Sequence, residues 1–244
     1  MTSDTAPSLD IKGARATIRL RRPLEHNRID PSDLAVLLDH IEHARADRAV
    51  RVLVVTGTGS KTFSSGYTVA AIREHLDDRL EKVLDTLESL PLPVICALNG
   101  SVYGGAIDLA LCCDFRIGVK GSRMFMPAAK FGLHYYPGGL RRYVTRLGLS
   151  SAKRLFLTAQ AMDSEEMLRI GFLTELVAAD ELERAVARYV DALVECEPEV
   201  VASMKLHLNQ TADGNIDLAA QRAAYERSLR SDELARRLQA LAKV

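Results

Sequence analysis

One stretch, Asn99-Gly100-Ser101-Val102-Tyr103-Gly104-Gly105-Ala106-Ile107-Asp108, lies between two apolar runs, Val94 to Leu98 and Leu109 to Cys113. Pro91 and Pro93 punctuate the start of the first run, whose apolar and β-branched residues suit a buried strand. The order predicts strand, glycine turn, helix. A helix starting at Gly104-Gly105 leaves unpaired N–H groups in its first turn, and its dipole favours negative charge there. Glycine lets a ligand come close to that backbone. Such a turn either cradles a phosphate, polarises a carbonyl oxygen or simply packs. No Lys-Ser/Thr pair follows it, which argues against a Walker P-loop.

The rest of the chain alternates strands and helices. Ala14 to Arg22 alternates Thr17, Arg19 and Arg21 with Ala16, Ile18 and Leu20, the period of a half-buried strand that Pro23 ends. Asp30-Pro31 supplies an N-cap and a first-turn proline to a helix whose Leu34, Leu37, Leu38 and Ile41 share a face. Val50 to Thr56 suits a fully buried strand, closed by Gly57-Thr58-Gly59. The loop Phe63-Ser64-Ser65-Gly66-Tyr67-Thr68 leads into a long helix with Leu76, Leu80, Val83, Leu84 and Leu87 on one face. Asp114 to Val119 and Met124 to Met126 predict two more strands, and Gly132 to Gly139 an aromatic-rich turn before a basic helix around Arg141 and Arg142. Beyond Ser150 the sequence turns mainly helical, over Leu182 to Leu193, Pro198 to about Leu208 and Ile216 to Val244. Parallel strands need crossovers, so this order predicts an α/β core over residues 1–177 and a helical C-terminal lobe over 178–244.

Composition acts by exclusion. Lys plus Arg balance Asp plus Glu at 32 each, leaving no basic excess for nucleic acid or a membrane surface. Met1 to Ser8 carries no apolar run of a signal peptide, and no segment reaches ~20 apolar residues, so a cytoplasmic chain is expected. Cys96, Cys112, Cys113 and Cys196 show neither a CxxC pair nor a secreted spacing, and are read as reduced thiols. His40 and His43 share a helical face without acidic or cysteine partners at ligand spacing, and are read as surface residues.

Arg22-Pro23 through Asn27, Phe63 to Tyr67, Pro93-Val94-Ile95 with Asn99-Gly100, Tyr103-Gly104-Gly105 through Asp114, and Pro137-Gly138-Gly139 followed by Arg142 form an ordered set. Over roughly residues 10 to 230 this set resembles the crotonase (enoyl-CoA hydratase/isomerase) superfamily. The resemblance implies the ββα spiral of the ClpP/crotonase fold, with two nearly perpendicular sheets and a C-terminal helical lobe that builds trimers or hexamers. It implies an acyl-CoA substrate whose thioester oxygen is held by the N–H groups of Tyr67 and Gly105, beside Ser65, Gly66 and Gly104. Fixed donors of that kind are each worth on the order of 3 kcal/mol of barrier as an enolate forms. Glu25, His26 and Arg28 fall where the family cradles the CoA nucleotide, largely through its backbone; Arg28 either adds a phosphate contact or is an exposed arginine. Coenzyme A enters as part of the substrate, and no metal or redox cofactor is implied.

A hydratase of this family sets two glutamates on either side of a water. The first of these positions, three residues after Gly105, holds Asp108; the second, directly after Pro127, holds Ala128, which transfers no proton. Asp108 is either a general acid/base or a dipole partner in the first turn of its helix. Tyr67-Thr68 replaces a small residue and an aspartate of the commoner pattern, so the Tyr67 ring either orients the acyl group or packs. His134, Tyr135 and Tyr136 occupy the turn facing the same region; His134 and Tyr135 are candidates for proton transfer or substrate orientation, and Tyr136 and Ala128 for substrate binding. Tyr135 and the Gly100–Ala106 stretch are similar to the methylmalonyl-CoA decarboxylase branch. The expected function is an enoyl-CoA hydratase/isomerase-like lyase working through a thioester enolate, by hydration or decarboxylation; the alternative is a non-catalytic CoA-binding or scaffolding member. A serine hydrolase built on Ser101 lacks a histidine and an acid at matching positions.

Overall fold

In the computed structural model, which describes residues 5–241, β1 (Ser8–Lys12) and β2 (Arg15–Leu20) form an antiparallel hairpin, followed by α1 (Asp33–Ala46). Residues 1–4 and 242–244, which include the first half of the segment read as lacking a signal peptide and the last of the helical tail, lie outside the described residues. The next unit is β3 (Val52–Gly57), β4 (Thr62–Ser64), a short α2 (Ile72–His75) and α3 (Asp78–Ser89). Then come β5 (Val94–Leu98), β6 (Ser101–Tyr103) and α4 (Gly105–Leu111), and after them β7 (Phe115–Val119), β8 (Arg123–Phe125) and α5 (Pro137–Lys153). The short β9 (Met162–Asp163), α6 (Ser164–Arg169) and β10 (Glu175–Val177) complete the sheets. Four helices follow: α7 (Leu182–Glu195), α8 (Pro198–Ala212), α9 (Leu218–Leu229) and α10 (Asp232–Leu241).

In the three ββα units that begin at β3, β5 and β7 the first strand joins a six-stranded sheet, ordered β1-β2-β3-β5-β7-β10, and the second joins a four-stranded sheet, ordered β4-β6-β8-β9. From β2 to β10 the larger sheet is parallel. This is the ββα spiral expected from the sequence, and it explains the unbroken apolar runs. Leu53 and Val55 of β3 face the main core, whereas Val52 and Val54 face Ala185 and Val186 of α7; Cys96 and Leu98 of β5 oppose Ile95 and Ala97 in the same way. A parallel strand buried on both faces has no polar alternation to show. Lys205 of α8 is tied to the core, donating to the Asp114 carboxylate at 2.7 Å and the Leu92 carbonyl at 2.9 Å.

Several details correct the sequence reading. The segment after Leu98 is not one glycine turn: Asn99-Gly100 leads into β6, and Gly104, at φ +54°, makes the turn into α4. Part of the Phe63 loop is β4, which pairs with β6. Helix α1 begins at Asp33 rather than Pro31, and Asp30 is not its cap, because its carboxylate is taken by the Thr68 hydroxyl and Arg28. Leu76 falls between α2 and α3, since Asp77 caps α3 by accepting from Arg79 N at 3.1 Å. Helix α5 breaks at Gly148, and the charged tail is two helices, α9 and α10, rather than one. His40 is half-buried, its Nε2 3.1 Å from the Pro7 carbonyl, rather than a surface residue. Cys96, Cys112 and Cys113 are buried free thiols, and Cys196 is an exposed one.

Candidate active site

Gly66 has φ +82° and no space for a side chain: a Cβ there would lie 2.6 Å from Gly105 N and 2.9 Å from Tyr103 O. The loop after β4 therefore lies directly against the first turn of α4. Its other edge is held by the segment before α1. Ile29 N donates to Gly66 O at 2.8 Å and Thr68 N donates to Ile29 O at 3.0 Å, so this bridge uses the groups on either side of the Tyr67 amide and leaves that amide out. The amide sits beside the helix start, because a Cβ on Gly105 would lie 3.6 Å from Tyr67 N. Gly105 is the first residue of α4, where an N–H has no partner within the helix. Neither N–H has an acceptor among the described residues.

These two amides border a cavity of about 300 Å³. Ser65, Tyr67, Gly104 and Gly105 line it, together with the apolar Val69, Ile72, Leu76 and Leu80 and, after β8, Met126, Pro127, Ala128, Phe131 and Leu133. His134, Tyr135 and Tyr136 line it too. Most of the residues picked out from the sequence thus meet in one place. Tyr67 presents its ring, since its hydroxyl donates to His75 O at 2.7 Å. Ala128 is buried and offers a methyl group where a second acid would stand. His134 is exposed, with Nδ1 2.7 Å from the Tyr135 carbonyl.

Asp108 does not line the cavity. Its carboxylate is fully buried; Oδ1 accepts from Arg142 Nε at 2.8 Å, and Oδ2 accepts from the hydroxyls of Tyr135, at 3.2 Å, and Tyr136. Arg142, itself without solvent exposure, also donates to Asp85 at 2.8 Å, Glu88 at 3.0 Å and the Tyr136 hydroxyl at 2.7 Å. One guanidinium thereby joins α3, α4 and α5. Burial works against the Arg142 charge, but Asp108 and the other acceptors around it outweigh that and hold it above the ordinary arginine range. Burial first, and then the Asp108 charge, push both tyrosine hydroxyls well above the usual phenol range, so both stay neutral. Gly139 makes the room: a Cβ there would strike the Tyr135 ring and lie 2.9 Å from Asp108 Oδ2. Behind the Pro137-Gly138-Gly139 run, then, is a close approach of α5 to a buried carboxylate.

Glu25, His26 and Arg28 lie outside the cavity lining. His26, in a left-handed conformation, has Nδ1 2.9 Å from the Thr62 hydroxyl, and Arg28 pairs with Asp30 at 2.9 Å and with Glu25 at 2.5 Å. The Ser101 hydroxyl accepts from Arg123 N at 3.1 Å within the smaller sheet. No group of three or more His, Cys, Asp or Glu among the described residues is arranged to hold a metal ion, and no helix among them is long and apolar enough to cross a membrane.

Sequence reasoning passed over three carboxylates that line the cavity, Asp77, Asp78 and Glu81. Asp77 and Glu81, four residues apart, share a helix face, which was a usable signal. Acidic residues at a helix start equally suit the dipole, so the signal did not separate the two readings. Asp77 is held by Arg79, at 2.8 Å from Nε, whereas Glu81 is half-buried with no hydrogen bond or ion pair among the described residues. Burial, followed by the charges of Asp85 and Asp78, pushes the Glu81 carboxyl above the usual carboxylate range, with Arg142 opposing.

Spiral, helix-start amides and apolar cavity together define a crotonase-type α/β protein. A crystal structure of enoyl-CoA hydratase from Bacillus anthracis matches it with a TM-score of 0.89 over 97% of this chain and 96% of that one, at 23% identity, which shows the shared fold. The sequence profile of the Enoyl-CoA hydratase/isomerase family matches residues 10–236, and the chain belongs to that family. Crotonyl-CoA hydratase of Syntrophomonas wolfei is 29% identical over 84% of this chain and 81% of its own length. Short-chain-enoyl-CoA hydratase of Clostridium acetobutylicum is 30% identical over 86% and 84%.

Proposed function

We propose that this family member is a hydratase-like acyl-CoA lyase that stabilises a thioester enolate between the amides of Tyr67 and Gly105. The observation that carries the reading is the pair itself: two acceptor-free N–H groups from separate loops, side by side at the edge of an apolar cavity. A thioester oxygen placed there accepts from both, and the bonds strengthen as negative charge grows on it. Donors fixed before the reaction cost no reorganisation, so each contributes on the order of 3 kcal/mol to the barrier reduction. The relatives named crotonyl-CoA and short-chain-enoyl-CoA hydratase support a short 2-enoyl group as the acyl part.

Asp108 acts through others: it holds the Tyr135 and Tyr136 hydroxyls, whose rings shape the acyl site. His134, at the exposed side of the cavity, is a candidate for proton transfer. The charge of the lining favours a neutral acyl group over a carboxylated one. Asp77, Asp78 and Glu81 line the cavity and no Lys or Arg among the described residues does, so a malonyl-type carboxylate would be repelled. Hydration or dehydration is therefore favoured over decarboxylation. The Glu25–Arg28 turn, just before which Leu24 lies fully exposed, is the proposed nucleotide end. Exposed Met204, Leu206 and Leu208 on α8 and Leu218, Tyr225 and Leu229 on α9 support self-association as a trimer or hexamer.

The test is to follow two reactions side by side: hydration of crotonyl-CoA, and exchange of the α-protons of butyryl-CoA in deuterium oxide. Both are expected. Binding of butyryl-CoA without either reaction would instead favour the non-catalytic member, and carbon dioxide release from methylmalonyl-CoA would return decarboxylation to first place.

A further inference from the structure

We propose that Glu81 is the carboxyl group that moves the proton at the α-carbon of the bound acyl group, an assignment that rests on the enolate reading above. The cavity leaves few other groups for the task. Asp108 is outside the lining with both oxygens engaged, and the Tyr135 and Tyr136 hydroxyls are donated to it. Ala128 has nothing to transfer. Asp77 is held by Arg79, and Asp78 is exposed. Glu81 lines the cavity, is half-buried and has no partner among the described residues.

The helix that carries it is anchored. Four residues further along α3, Asp85 receives Arg142, and Glu88, a turn beyond, receives Arg141 and Arg142. Residues at i and i+4 lie one above the other, so the clamp that fixes α3 to α4 and α5 also fixes the stretch of backbone that carries Glu81. A group meant for proton transfer needs that kind of support. In the step itself the Glu81 carboxylate takes the α-proton. The C–H electron pair becomes the C=C bond of the enolate, and the carbonyl π pair moves onto the oxygen held by Tyr67 and Gly105. Return of the proton from the carboxylic acid reverses the step.

The charged groups acting on Glu81 are Asp78 and Asp85 on α3, Asp108 on α4 and Arg142 on α5, and the other titratable groups of the cavity lining are Asp77, Tyr67, His134, Tyr135 and Tyr136. Burial and the neighbouring carboxylates raise its proton affinity, so the active, ionised form is gained at a pH above that of an ordinary glutamate.

The experiment measures α-proton exchange of butyryl-CoA by wild type, Glu81→Gln and Glu81→Asp, with pH profiles and thermal unfolding of each. Glu81→Gln is expected to lower kcat by about 10²- to 10⁴-fold with little change in KM, to lose the acidic limb of the profile, and to unfold no earlier than wild type, because it removes like-charge repulsion. Glu81→Asp is expected to recover part of the rate. Exchange by Glu81→Gln within about threefold of wild type would overturn the assignment while leaving the enolate reading intact. So would a loss accompanied by a clearly lowered unfolding temperature and no rescue by aspartate, which marks a structural role. Wild type that exchanges no α-proton overturns the enolate reading, and the assignment with it.

Discussion

Gly66 and Gly105 do different things a few ångströms apart. Gly66 is there because a Cβ would strike the first amide of α4, and its positive φ excludes most replacements. Gly66→Ala is expected to cost about 1–3 kcal/mol in urea unfolding and to push the Tyr67 loop off the helix start, with a loss of turnover larger than the loss of stability explains. Gly105 contributes its N–H as the second donor of the proposed site. It is the first helical residue, a position that tolerates proline, so Gly105→Pro deletes one donor and keeps the helix. Its kcat is expected to fall about 10²- to 10³-fold with a near-native unfolding curve; an unchanged kcat would remove Gly105 from the mechanism. At this scale the sequence was informative where chemistry needs glycine, since a missing side chain at a fixed offset from a strand is visible in the letters. It did not single out Glu81. A carboxylate at a helix start reads as a dipole partner until the face it occupies is known to meet a cavity.

The three helices α3, α4 and α5 meet on Arg142, and the junction sets the shape of the acyl site. Arg142→Met leaves Asp108 buried without its cation, while Glu88 keeps Arg141 and Arg146, and is expected to destabilise by about 3–5 kcal/mol in urea unfolding, because an uncompensated buried charge costs more than a lost pair. Acid acts on the same junction through Glu88. Burial pushes its carboxyl up, but Arg141 and Arg142 outweigh that and hold it below the usual range. The stability this contributes is present above the unfolded-state value of about 4.3 and is lost as pH falls through the lower folded value. Unfolding temperature measured from pH 6 downwards should fall along that limb, and Glu88→Gln should flatten it. Elements were legible in proportion to their burial. β3 and β5 announced themselves as apolar runs because both faces are covered, and α1 showed Leu34, Leu37 and Ile41 as its buried face. β6 was hidden, since a three-residue strand between glycines has too few side chains for a period. The true start of α1 was hidden as well, because tertiary contacts from Thr68 and Arg28 claimed the Asp30 carboxylate that local sequence assigns to a cap.

Across the whole molecule, the spiral brings a loop after β4 and a helix after β6 to one point, although 38 positions separate Tyr67 from Gly105 in the sequence. That meeting was legible through family resemblance and not through local pattern, as no periodicity encodes which strands become neighbours in a sheet. The helices after β10 were legible as amphipathic segments, but the sequence alone did not show that α7 would cover the outer face of the larger sheet. The apolar residues left exposed on α8 and α9 lead to a further prediction. Sedimentation equilibrium is expected to give three or six times the 26.8 kDa chain mass, and a monomer at micromolar concentration would remove the proposed self-association. The central claim concerns the two amides, and it is tested most directly by a crystal structure with butyryl-CoA bound. The thioester oxygen is expected at about 2.7–3.1 Å from both Tyr67 N and Gly105 N. A thioester oxygen turned away from these amides, with the acyl chain in the same cavity, would contradict it.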